Sequence, residues 1–143
     1  MRTRTLFLML LPAALACSEY ESTPTETRPD FATACSTPKP KIVASPTAAI
    51  EAPGVSGTAK FVATNKCTTN LAGWALTSSR TGAVISVTAP SRASLPTLAP
   101  GQSVSVYVSY QLAGSGNGTV VLLARSRAGV TSFGYQGITV ATP

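Results

Sequence analysis

The sequence predicts an all-β fold, a single β-sandwich of about seven strands over residues 41–143. Three observations carry that prediction. Beyond Lys41 the chain is a succession of short β-rich runs separated by Gly, Pro, Asn and Ser, without any stretch of sustained helical periodicity. Ser103 to Tyr110 alternates without a fault, with Val104, Val106, Val108 and Tyr110 on one face and Ser103, Ser105, Tyr107 and Ser109 on the other, the pattern of a strand half buried on a core. Pro100-Gly101 suits the two central positions of a type II turn, where proline fixes φ and glycine accepts the positive φ that follows.

The strands are expected, in order, at 42–50 (the least regular), 59–64, 71–77, 83–88, 103–110, 119–124 and 131–140. Asn65-Lys66-Cys67 falls between two apolar runs and reads as a turn, and Gly114 to Gly118 reads as a flexible hairpin loop. Trp74 shares a strand face with Ala72 and Leu76 and is the expected core anchor, an exposed binding tryptophan being the alternative. Alternation places Val104, Val106, Val108, Val120 and Leu122 in the same core and leaves Val121 and Leu123 pointing outward.

Ahead of the sandwich, Arg2 and Arg4 precede an apolar run from Leu6 to Leu15 that is too short to span a bilayer, so residues 1–16 read as an export signal. The small residues Ala13, Ala14 and Ala16 before Cys17 resemble the end of a bacterial lipoprotein signal, with Ala14 where that signal prefers leucine. The resemblance implies that Cys17 receives diacylglycerol, and that Ser18, rather than an aspartate, directs the chain to the outer membrane. An ordinary cleaved signal is the alternative, because Ala14-Leu15-Ala16 also satisfies the A-x-A requirement. Residues 17–40 then turn to Ser, Thr, Pro and charge, and Glu19, Glu21, Glu26 and Asp30 are four of the five acidic residues. Such a stretch buries no core and reads as a disordered tether.

Three cysteines are an odd number for an exported chain unless one is put to another use. Lipidation of Cys17 leaves Cys35 and Cys67 as a pair, whose bridge would close a loop of about thirty residues and contribute ~3 kcal/mol. Two independent free thiols are the alternative.

The 143 residues contain no histidine, which removes the side chain most used for general acid/base work. Ser36-Thr37-Pro38-Lys39 matches S-x-x-K, but that chemistry needs a helix and Pro38 forbids one. Gly114-Ser115-Gly116-Asn117-Gly118 leads into a strand, so no helix N-terminus follows to hold a phosphate. After Glu51 there is no Asp or Glu at all, which excludes carboxylate-based calcium binding and glycoside hydrolysis in the module; no cofactor or metal is expected. The same stretch keeps Lys60, Lys66, Arg80, Arg92, Arg125 and Arg127 in a chain of net charge +6. A purely basic module is drawn to anionic surfaces, with Lys60, Lys66, Arg80, Arg125 and Arg127 as candidate contacts to an anionic glycan or lipid. Charge scattered for solubility is the alternative. Nucleic acid is not an expected partner, since export separates the chain from it and no aromatic-basic stacking pattern is present.

Three stretches, Phe61-Val62-Ala63-Thr64-Asn65 followed by Leu71, Leu95 to Val106 with its L-A-P-G-Q-S core, and Gly118 to Leu122, resemble the Hydin-type immunoglobulin-like domain of bacterial surface proteins and lipoproteins. The resemblance covers roughly 90 residues. Family members usually carry Gly where Cys67 stands. It implies a seven-stranded immunoglobulin-like sandwich for display or interaction and brings no catalytic residues. The expectation is a non-enzymatic, lipid-anchored bacterial envelope protein, held to a membrane by its N-terminus, with an envelope protein or anionic glycan as partner. Its alternative is a secreted module that binds such partners through a basic surface.

Overall fold

The computed structural model describes residues 33–141, so the expected signal peptide, Cys17 and most of the expected tether lie outside the described residues. Eight strands follow one another: β1 (Lys41–Ala44), β2 (Ala48–Glu51), β3 (Ser56–Thr64), β4 (Trp74–Gly82), β5 (Val84–Val87), β6 (Ser103–Leu112), β7 (Gly116–Ser126) and β8 (Thr131–Val140). They form two four-stranded sheets, β1-β3-β6-β5 and β2-β8-β7-β4. Two facing, largely antiparallel sheets connected in this order are an immunoglobulin-like sandwich.

The expected strand over 42–50 is in fact two. β1 pairs antiparallel with β3, the chain crosses to the other sheet through the cis Ser45-Pro46 bond, and β2 pairs parallel with β8. One strand more than the pattern suggested results from this sheet switch. β4 begins at Trp74, later than expected, because Gly73 takes a positive φ of 73° that interrupts extended backbone, while Leu71 makes only an isolated bridge to Leu98.

The expected hairpin at Gly114 to Gly118 is corrected. β6 and β7 belong to different sheets, and β7 already starts at Gly116, so the connection is an arch across the sandwich. The glycine at 118 serves close packing rather than loop freedom: a Cβ there would stand 2.7 Å from the Val84 nitrogen and 2.9 Å from the Thr81 carbonyl oxygen.

The core lies between the inner faces. Trp74, Val106, Val108, Val120 and Leu122 are buried as alternation requires, with Phe61, Val84, Leu112 and Ile138 beside them, and Val104 packs partly buried at the margin. The turn at Ala99 to Gln102 also matches expectation, with Gly101 at φ 77° and Gln102 N–H donating to the Ala99 carbonyl at 3.0 Å.

Candidate functional site: the outer face of the β2-β8-β7-β4 sheet

β7 and β8 pair over their whole length, which sets Leu123 opposite Phe133 and Val121 opposite Tyr135 on the outer face. Phe133 is 63% exposed, Tyr135 62% and Ile50, further along the same face, 78%. Val121 and Leu123 lie half-buried between their neighbours. The inward residues of the first half of β8 are small or polar for a local reason. A Cβ on Gly134 would lie 2.7 Å from Ile42 Cγ2 and 2.9 Å from its carbonyl oxygen, and the Ser132 hydroxyl donates to the Pro40 carbonyl. β1 therefore presses against the inner side of β8 and leaves its aromatic residues to the outside.

The opposite outer face is different in kind. Thr58 faces Ser109 and Thr64 faces Ser103, the latter pair sharing a 2.7 Å hydroxyl bond, with Lys60 opposite Tyr107 between them. One face of the sandwich is thus rich in hydroxyls with Tyr107 and Val43 exposed among them, and the other carries the more exposed apolar side chains of Phe133, Tyr135 and Ile50.

Along the seam between β1 and β8 run two adjoining grooves that share Ile42 and Phe133. One, of about 220 Å³, is continued by Val43, Ala44 and Tyr135. The other, of about 320 Å³, is bounded by Cys35, Lys39, Lys41, Lys66 and Cys67. Cys35 and Cys67 are disulfide-bonded with Cα atoms 5.4 Å apart. Thr33 N–H donates to the Lys66 carbonyl at 2.9 Å and Pro40 is buried, so residues 33–40, which composition assigns to the tether, are held on the domain.

The other expected contacts do not converge. Lys60 is on the hydroxyl-rich face, whereas Arg125 projects from the aromatic one. Arg80 Nη1 donates to the Val84 carbonyl at 2.8 Å and closes the edge between β4 and β5. Arg125 and Arg127 alone come together, lining a groove of about 380 Å³ with Trp74, Ser94 and Ser126. A single basic face made of all five residues is therefore absent. Lys39, which composition assigns to the tether, and Lys41, the first residue of the expected sandwich, line a groove with Lys66 at the seam.

Two polar residues brace the ends of the sandwich. Asn65 is fully buried: its amide nitrogen donates to the Thr69 and Leu98 carbonyls at 2.8 and 2.9 Å, and its side-chain oxygen accepts from Cys67 N–H at 2.9 Å. Tyr110 donates to Glu51 across the two sheets at 3.2 Å. Burial, then the charge of Glu51 and the hydrogen bond to it, push the phenol up to about 12. Among the described residues no group of three or more His, Cys, Asp or Glu gathers to hold a metal.

No protein-family model matches the chain, and no curated protein matches it. Solved structures do. The secreted serine protease VesC from Vibrio cholerae is similar over 66% of this chain at 22% identity and a TM-score of 0.50; the chain spans 22% of the length of that protein. An ASH / PapD-like domain of human CEP192 is similar over 99% of both chains at 13% identity and a TM-score of 0.45. The first likeness extends to the fold alone and the second is too loose to carry an argument.

Proposed function

We propose that this protein is a non-enzymatic, lipid-anchored component of the bacterial cell envelope that displays a Hydin-type immunoglobulin-like module as an interaction unit. The observation that carries the interaction role is the exposure of Phe133 and Tyr135, side by side with Leu123 and Val121, on one outer face of a sandwich whose core is already closed without them. Phe133 and Tyr135 are the most exposed aromatic residues among the described ones, and the core is closed without them. Cys17, directly after an apolar run and small residues, supports the anchor, and Ser18 after it supports an outer-membrane location. The +6 charge with acids confined almost wholly to the tether supports a partner that is anionic.

The experiment is to feed cells a fatty-acid probe and fractionate them. Wild-type protein is expected to carry the label and sediment with membranes, and Cys17→Ser to lose both. Unlabelled wild-type protein in the soluble fraction contradicts the anchor. The secreted alternative, binding glycans through one basic face, is less well supported because Lys60 and Arg125 stand on opposite faces.

A further inference from the structure

We infer that the aromatic face of the β2-β8-β7-β4 sheet seats on an anionic phospholipid surface, the membrane that holds the anchor. The inference takes its setting from the anchored reading above and adds the ligand and the face. Three independent features meet at one place. The first is chemical: Phe133 and Tyr135 stand exposed on adjacent outward positions of β8, and an aromatic ring with a polar tip is the side chain best suited to the headgroup level of a bilayer. The second is electrostatic. Lys39 lines a groove together with Phe133, Arg125 lies on the same face one diagonal from Phe133, and beyond Glu51 the chain has no acidic residue to repel phosphate. Glu51 itself is taken up by Tyr110.

The third is where the chain goes. The described residues begin at Thr33, bridged to Cys67, and Cys35, Cys67 and Phe133 line the same groove. A lipid on Cys17 would therefore draw on the side of the module that carries the aromatic residues. The segment from Cys17 to Thr33 reaches at most some tens of ångströms at ~3 Å per residue, which keeps the module within touching distance of the surface. Lys60 and the hydroxyl-rich face point the other way, toward solvent.

The test uses the mature chain from Ser18, without lipid, whose described residues carry their own closed core. It is mixed with vesicles of phosphatidylglycerol and phosphatidylethanolamine, and with vesicles of phosphatidylcholine, and sedimented at low and physiological salt. Binding is expected to the acidic vesicles only and to weaken with salt. Phe133→Ser with Tyr135→Ser should reduce it by about tenfold or more, and Lys39→Gln or Arg125→Gln by about fivefold each, since a cation near such a surface is worth about that factor. Lys60→Gln should change nothing. All five positions are exposed, so melting curves should stay in place. Failure to bind acidic vesicles overturns the inference, as does an equal loss with Lys60→Gln. A concentration-dependent dimer abolished by Phe133→Ser without vesicle binding overturns it too, by assigning the face to a second copy. Because this chain lacks lipid, an unlabelled Cys17 in cells would sink the anchor without touching the vesicle result.

Discussion

A residue such as Asn65 shows how much of the loop architecture hangs on one side chain. It pairs the Thr69 carbonyl and the Cys67 N–H, and adds a second bond to the Leu98 carbonyl, which also accepts from Leu71 N–H. Asn65→Ala is expected to cost about 2–4 kcal/mol in denaturant unfolding, because each orphaned buried group costs about 1–3 kcal/mol. Tyr110 makes a pH prediction. Its phenol binds a proton more tightly in the fold than in the unfolded chain, so its contribution is complete below pH 10, the ordinary value, and is lost as pH rises through about 12. Thermal melts should decline across that window with a slope of up to about 1.4 kcal/mol per pH unit, and Tyr110→Phe should flatten it. Gln136 offers the opposite case. It is buried, and its side-chain oxygen has no hydrogen-bond partner among the described residues, so Gln136→Leu should hold or raise stability in chemical unfolding.

Strands β6 and β8 show what alternation can and cannot tell. In β6 every inward valine is flanked by outward polar residues, and the faces follow directly. Val106→Asp should leave the domain unfolded by circular dichroism, since an unpaired buried carboxylate costs several kcal/mol, while Ser105→Asp on the outer side should cost under about 1 kcal/mol. β8 alternates too, but with its aromatic residues on the wrong side for a reader of hydropathy: Phe133 and Tyr135 are outside, Ser132, Gly134 and Gln136 inside. The reason is the close approach of Ile42 and Pro40, a tertiary fact that no local pattern contains. The outward Val121 and Leu123 on β7 were legible, and they marked the edge of a patch whose centre was not. Similarly, the glycines at 116 and 118 look like a loop in one dimension, and they serve a sheet-to-sheet crossing in three.

At the level of the whole molecule, the sequence foretold an all-β sandwich, its buried valines and tryptophan, and the Cys35–Cys67 pairing. Reduction of that bridge should lower stability by about 3 kcal/mol and release residues 33–40 to proteolysis. The distribution of the cations was not foretold, because positions spread along strands say nothing about faces until register and sheet order are known. What emerges is a two-faced sandwich, hydroxyl-rich on one side and aromatic on the other, with its leader pinned beside the aromatic side. The central claim is that the aromatic side meets the envelope. Tyr135 and Tyr107 are both well exposed, on opposite outer faces, and so form an internal comparison. Tyrosine modification in intact envelopes and after detergent extraction, read by peptide mass, tests the claim most directly. Tyr135 should be protected in the envelope and modified after extraction, with Tyr107 modified in both; equal modification of Tyr135 in the two states, or protection of Tyr107 in its place, would contradict it.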